Sequence, residues 1–487
     1  MPCCAHFTLA DSACPTITTT LMSKPRKIRP PVPIVNKYPG FLERTSYRIY
    51  NSIFNSLYPV SPVVFGVTTA AFAAYFSRNR RIPNLISKLG LKRGEYVRIA
   101  LASLFSSYIP VFICRLILKQ FYFKYKGFLS ENPKKPSLLT KIWAIIGAAL
   151  NVVAKPRLLS CDNLLPSPAV PTLEQTIKSY LQSLEPLHTK EEMEEAKLLA
   201  KEFLNGEGRK LQRYARFYSL FVENYVTNFW EKFAYLYTRD CLLINSSMAD
   251  EITRCYDSYA SERDDLDLVT FILNDWGKGR IKKCGVSPDA FVQMAIQLTQ
   301  FKDQGRFVHT YEAASARFYR NSRTETLRSV TAESCAFVNA MLDPRITIED
   351  RVSHLNKAAE LHTSHSKDCM VNKGVDRHLF VLFVLSKAQG VSSPFLDRYV
   401  QQEWPLSTSN LPNMTNSMKE DEVPGKSWIG GCFAAVAKTG YGVCYRFAGD
   451  HSICIHVTSY HSAENTSSSR FMQRLTESFR EMADLFD

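Results

Sequence analysis

The longest interruption in the mix of polar and apolar positions comes early. From Ile49 to Ser77 the chain has no Asp, Glu, Lys or Arg, a run long enough to cross a hydrocarbon core as a helix. Pro59, Pro62 and Gly66 punctuate it, and a membrane helix tolerates them better than a soluble one does. A second apolar run spans Arg98 to Lys119, with Arg115 near enough to its end to snorkel to an interface. Arg78, Arg80, Arg81, Lys88, Lys92 and Arg93 lie between the runs, and both flanks are basic too, so charge assigns no orientation. The pattern predicts a two-helix transmembrane hairpin over 48–122; a buried helical hairpin in a soluble protein is the competing reading. Lys141 to Lys155 is also apolar but too short to span, which leaves an interfacial helix or one packed on a soluble domain.

Past these runs the spacing becomes helical, then mixed. Pro166, Pro168 and Pro171 set an extended lead-in to a helix from Leu173 to Leu184. Glu191 to Leu204 places Met193, Ala196, Leu199, Ala200 and Phe203 on one helical face. Tyr214 to Tyr237 is dense in aromatics (Phe217, Tyr218, Phe221, Tyr225, Phe229, Trp230, Phe233), a stripe that reads as core. Ser287 as N-cap, Pro288 at the first helical position and Asp289 in the first turn start another helix. Its Phe291, Met294, Ala295 and Leu298 mark one buried face. After Gly305, Phe307 to Tyr311 reads as a short strand and Glu312 to Phe318 as helical. Val443 to Phe447, a Gly449-Asp450 turn and the alternating Ile453, Ile455 and Val457 read as a hairpin, behind a glycine-punctuated stretch from Ser427 to Gly442. A helix from Ser468 to Phe486 closes the chain, and strands alternating with helices predict α/β for this half.

Composition narrows the function. The 487 residues allow one large core or two domains, and a net charge of +14 fits an anionic ligand or membrane surface. No zinc spacing, basic helical stripe or aromatic RNA-binding motif supports a nucleic-acid partner. The 13 cysteines form no framework, which favours free thiols in a reducing compartment, and no metal site is expected. Met1 to Gly40 has no sustained period and reads as disordered.

The strongest candidate chemistry is Lys278, Arg280, Lys282 and Lys283 on a glycine-containing segment just ahead of Ser287-Pro288-Asp289. Ammonium groups beside a helix N-terminus make a site for a phosphorylated ligand. A basic loop before an ordinary surface helix is the alternative.

With Thr310-Tyr311-Glu312-Ala313 and Arg323-Thr324-Glu325-Thr326-Leu327-Arg328-Ser329 after it, this stretch resembles the carnitine/choline acyltransferase family, from about Tyr38 onward. The paired apolar region ahead is similar to that of the mitochondrial outer-membrane carnitine O-palmitoyltransferases. By that resemblance Lys278, Lys282 and Lys283, with Ser287, Asp289 and Ser315, would bind coenzyme A. Tyr311, Thr324, Arg377 and Ser407 would bind carnitine, Arg377 forking onto its carboxylate. Ser409, the last serine of Ser407-Thr408-Ser409, would donate to the oxyanion of the tetrahedral intermediate. Ala313 stands where some relatives have serine, and Asn410 where glutamine usually follows.

The resemblance breaks near Ser247. A long block that carries the family's catalytic histidine, in a His-x-x-x-Asp context, is missing there, and none of the 10 histidines has Asp four residues on. His309 and His378 read as structural. The resemblance therefore implies an α/β, two-domain carnitine acyltransferase-like fold with its N-terminal domain truncated, behind the transmembrane hairpin. The expected segments are 1–47 (disordered and basic), 48–122 (hairpin), 123–160 (linker or interfacial helix), 161–248 (truncated N-terminal domain) and 249–487 (C-terminal domain). The implied reaction is long-chain acyl transfer between coenzyme A and carnitine for mitochondrial fatty-acid oxidation, impaired by loss of the histidine block. Coenzyme A and acyl-CoA enter as substrates, not as a permanent cofactor. The implied location is the mitochondrial outer membrane, with the bulk of the chain facing the cytosol. A non-catalytic module that binds acyl-CoA or pairs with a full-length relative, as a homo- or hetero-oligomer, is the alternative; a shortened product that folds poorly is a third.

Overall fold

The computed structural model describes residues 41–79, 82–84, 94–132, 134–154, 161–231, 246–274, 276–322, 324–411 and 430–486. The expectation of disorder over Met1 to Gly40 lies outside them, as do Phe233 and parts of the basic loop and the glycine-punctuated stretch.

The first apolar run forms two helices, α1 (Phe41–Leu57) and α2 (Pro62–Arg78), bent by 72° at their junction. Ser61 caps α2 and Pro62 opens it, so the two prolines that the hairpin reading tolerated in fact divide the span. The second run is α3 (Glu95–Ile117), continued by a π-turn at Leu118–Tyr122. Among the described residues this is the one continuous helix long and apolar enough to cross a membrane; α1 and α2 count as a span only if taken together. Arg115 is engaged within the protein. Its guanidinium donates to the carbonyls of Asn55 and Tyr58 at 2.7 and 2.9 Å, closing the end of α1 onto α3. After them comes α4 (Leu138–Val153), with no buried residue.

A helical layer follows: α5 (Leu173–Leu184), α6 (Lys190–Asn205), α7 (Glu207–Ser219) and α8 (Tyr225–Glu231). Thr172 caps α5, and a Thr189–Glu192 capping box starts α6. The inner residues of these helices pack with α14 (Asp376–Ala388) and α15 (Pro394–Val400) in one core. The aromatic stripe is only partly core. Tyr225 is buried, but Tyr214 and Phe217 are exposed because they fall outside the face of α7 that meets α14, and Phe221, in the turn after α7, is exposed by 72%.

The remaining elements are α9 (Ser246–Asp265), β1 (Leu266–Leu273), α10 (Lys278–Lys283), α11 (Pro288–Gln304), β2 (Thr310–Ser315), β3 (Thr324–Arg328), α12 (Ala332–Leu342), α13 (Ile348–Met370), β4 (Leu406–Asn410), β5 (Tyr441–Ala448), β6 (Ser452–Tyr460) and α16 (Ser468–Ala483). Among the described residues one six-stranded sheet runs β1-β6-β5-β4-β2-β3. Its β2, β4 and β5 are parallel, and the other neighbours are antiparallel. The β5–β6 hairpin forms as expected. The Glu312 stretch does not: it is part of β2, with Thr310, Glu312 and Ala314 alternating inward, since pairing on both sides outweighs the helical preference of two alanines. Helix α11 corrects a second expectation. It is buried on every side from Ala290 to Gln300, not on one face. It lies in the core with α12, α13, α16 and the sheet, where Gln293 and Gln297 donate to Thr408, Tyr445 and Thr310.

Candidate functional site

Strand β2 divides the site, because successive side chains point to opposite faces. Toward α11 and α13, Glu312 Oε2 accepts from Ser329 Oγ at 2.6 Å and meets His362 Nε2 at 2.7 Å. Asp289 Oδ1 beside them accepts from the Tyr445 hydroxyl at 2.6 Å and Asn410 Nδ2 at 2.8 Å. Asp289, Glu312 and His362 each bring a ligand atom within 4.8 Å of the others, the one such grouping among the described residues that could hold a metal ion. The hydrogen bonds already made to it mark a satisfied polar network. Burial raises the Glu312 carboxyl. Burial also works against charging His362, but Glu312 outweighs it and holds the imidazole protonated above its usual range.

The opposite face gathers the expected carnitine residues. Arg377, in the first turn of α14, donates from Nε to the Thr324 carbonyl at 2.7 Å, and from Nη2 to Thr324 Oγ1 at 3.2 Å and the Tyr311 hydroxyl at 3.3 Å. Its guanidinium lies 4.6 Å from the centre of the Trp230 ring. The side chain's hydrogen-bond acceptors here are all neutral oxygens, and among the described residues none of the ion pairs includes it. Burial disfavours its charge, and the nearby Glu325 more than offsets that. Glu325 accepts from the Thr326 and Arg377 amides, and burial raises its carboxyl to about 7. A cavity of about 30 Å³ opens beside Arg377, Thr324, Glu325 and Trp230. Ser407 is paired with Tyr311 and is nearly fully buried; Ser409 is two residues further along β4 and half-buried.

Lys278, Lys282 and Lys283 sit on the short helix α10, not on a loop. Gly277 and Gly279 bring their backbone against Asp450 in the β5–β6 turn, where a Cβ would collide, and the Gly279 amide donates to the Asp450 carbonyl at 3.0 Å. The glycines thus serve packing. Lys282 and Lys283 are exposed and Lys278 is half-buried. Ser287 occupies the N-cap of α11 but makes no side-chain capping bond. Asp289, one turn in, reaches Asn410 at the carboxyl end of β4, the end at which parallel strands commonly present ligand sites. Ser315 is exposed at the end of β2, paired with Thr324.

A cavity of about 460 Å³ lies at the other end of those strands. His309, Pro405 and Thr439 line it just ahead of β2, β4 and β5, with His188, Glu192, Arg306, Arg398 and Glu403. Burial, then Arg328 and His188, push the His309 imidazole down to about 3. The Trp404 ring has neighbours on two sides, His309 at 6.1 Å and Tyr311 at 5.7 Å. His378 is engaged by Gln212 and Tyr225, which is a structural role. His456 shares a row of the sheet with Ser409, through Cys444 on the strand between, and is bonded to Thr270 at 2.9 Å. Among the described residues no histidine hydrogen-bonds to Ser409 or Thr324. Sequence reasoning did not find Trp230 or His362 as neighbours of this chemistry; a lone tryptophan or histidine carries no spacing signal.

A sequence profile described as Choline/Carnitine o-acyltransferase matches residues 168–250 and 248–477. The chain is similar to human carnitine O-palmitoyltransferase 1, muscle isoform, with 45% identity over 46% of this chain and 29% of that protein. It is 44% identical to the human liver isoform over the same shares of both chains. Carnitine O-acetyltransferase of Columba livia is 31% identical over 46% of this chain and 34% of its own length. The matched part spans about a third or less of each relative.

Proposed function

This chain belongs to the choline/carnitine O-acyltransferase family, and from that premise we propose that it is a membrane-anchored, carnitine palmitoyltransferase-type chain that binds acyl-CoA and carnitine but turns them over poorly. The observation that carries this reading is Arg377, a half-buried cation held by Tyr311 and Thr324 through neutral oxygens beside a small cavity. A carboxylate ligand supplies the charge partner that such a guanidinium favours. Lys278, Lys282, Lys283, Ser287, Asp289 and Ser315 form the coenzyme A side, with the α11 N-terminus adding its dipole toward a phosphate. Ser407 lines the carnitine side, and Ser409 donates to the oxyanion.

In the family's reaction the carnitine hydroxyl attacks the thioester carbon. A C–O bond forms, the C–S bond breaks, and the hydroxyl proton passes through a general base to the departing thiolate. The base is the part this chain lacks: the two profile matches meet at 248–250, which supports loss of the intervening histidine block and a truncated domain over 161–248. The membrane anchor is α3, with α1 and α2 as the second arm of a hairpin. The location is the mitochondrial outer membrane with the larger part in the cytosol, and pairing with a full-length relative or a second copy would complete the catalytic site.

Two measurements test this. Calorimetry with coenzyme A should give saturable binding that weakens in Lys278→Ala and Lys282→Ala; no saturable binding removes the reading. Labelled palmitoyl transfer from coenzyme A to carnitine should stay near background, and robust turnover by the purified chain would overturn the claim of impairment.

A further inference from the structure

Helix α4 is turned inside out for a helix on a water-soluble surface. Its half-buried positions Thr140, Trp143, Gly147 and Leu150 recur at helical spacing and form the inner face. Trp143 donates its indole N–H to the Tyr122 carbonyl at 3.0 Å and stacks on Tyr122 and Phe128 at 5.3 and 4.6 Å. Leu150 packs against the cluster of Tyr58, Leu118 and Leu164. The outer face carries Leu139, Ile142, Ile145, Ile146, Val152 and Val153, with Ile145 exposed by 68% and Val152 by 73%. Contiguous apolar surface of this kind marks an interaction site.

Two observations say what covers it. The inner face is clamped to the foot of α3, so α4 begins where the membrane-crossing candidate ends. Lys134, Lys135 and Lys141 are exposed at its start, and the helix contains no acidic residue, a charge pattern complementary to acidic phospholipid headgroups. At 16 residues the helix is about 24 Å long, short of the roughly 30 Å hydrocarbon thickness, so it suits lying along a bilayer and not crossing it.

We propose that α4 lies in the headgroup–acyl boundary of the phospholipid bilayer, its isoleucine and valine face down, and that it fixes the distance of the globular part from the membrane. The link to that part is aromatic: Phe128 meets Phe318 edge-on at 5.8 Å, and the Lys126 ammonium sits 4.5 Å over the same ring. The inference rests on α3 crossing the bilayer.

The test is photocrosslinking of the full chain in phosphatidylcholine–phosphatidylserine vesicles that carry tritium-labelled phospholipid. Benzoylphenylalanine is placed singly at Ile145, at Phe112 on α3 and at Lys201 on α6. Lipid label should transfer at Ile145 and Phe112 at least roughly tenfold above Lys201. Ile142→Asp should lower labelling at Ile145 while leaving Phe112 unchanged. Label at Phe112 but not at Ile145 overturns the inference and leaves the anchor standing. Silence at both positions removes the anchor reading and this inference with it. A chain-to-chain adduct at Ile145 without lipid label overturns it in favour of a second copy.

Discussion

The two faces of β2 carry the same kinds of groups and handle them in opposite ways. On the face toward α11, Glu312, His362, Ser329 and Asp289 close on partners within the protein. On the other face Arg377, half-buried, is surrounded by the oxygens of Tyr311, Thr324 and Thr326. A closed network specifies how a core fits together. A cation held by neutral groups beside a cavity specifies what else fits there. One residue of offset along a strand separates the two uses.

The contrast can be broken at either face. The largest expected effect is on the open one: Arg377→Ala should weaken carnitine binding on the order of 100-fold or more, the loss typical of removing one member of a buried charge pair. Thermal stability should move less, and calorimetry with carnitine beside a melting curve measures both. On the closed face His362→Ala should do the reverse, costing roughly 3 kcal/mol of stability by leaving Glu312 buried without its partner. Coenzyme A binding in that variant, normalised to the folded fraction, should change little. A large loss of affinity there would place His362 in ligand recognition.

A third effect is on pH. The folded-state value of Glu325 is raised to about 7 from an ordinary 4.5, so the folded chain binds more protons than the unfolded one across that window. Stability should therefore fall as pH rises from 4.5 toward 7, by up to about 3 kcal/mol for this group. Glu325→Gln keeps an acceptor for the Thr326 and Arg377 amides and should flatten the slope, read as melting temperature against pH. An unchanged slope would assign it to other groups. The smallest effect belongs to the exposed lysines. Lys283→Ala should weaken coenzyme A binding only a few-fold, and the deficit should shrink as salt is raised, because exposed charges are screened.

Much of this was legible beforehand where a local rule governs. The helix at Leu173–Leu184 begins and ends where its prolines and spacing place it, and the Gly449-Asp450 hairpin forms as its alternation predicts. Tyr311, Thr324 and Arg377 were named from resemblance, and the structure brings them into one hydrogen-bonded cluster. What stayed hidden depends on distant partners. Glu312 to Ser315 looked helical because the strands on either side of it are remote in sequence. The glycines at 277 and 279 looked like a ligand cradle because Asp450, which needs them, lies far along the chain. Proline at 62 read as tolerable within a span, whereas with Ser61 it starts a new helix.

The order of the sheet has one more implication. Every strand from the β1 edge to the β3 edge comes from Leu266 or later, and the seam between the two profile matches falls before it, at 248–250. Lengthening or shortening the chain ahead of that edge is, for the sheet, an end effect. It alters which helices roof the strands while leaving neighbours, directions and register as they are, so this sheet can persist when its roof is rebuilt.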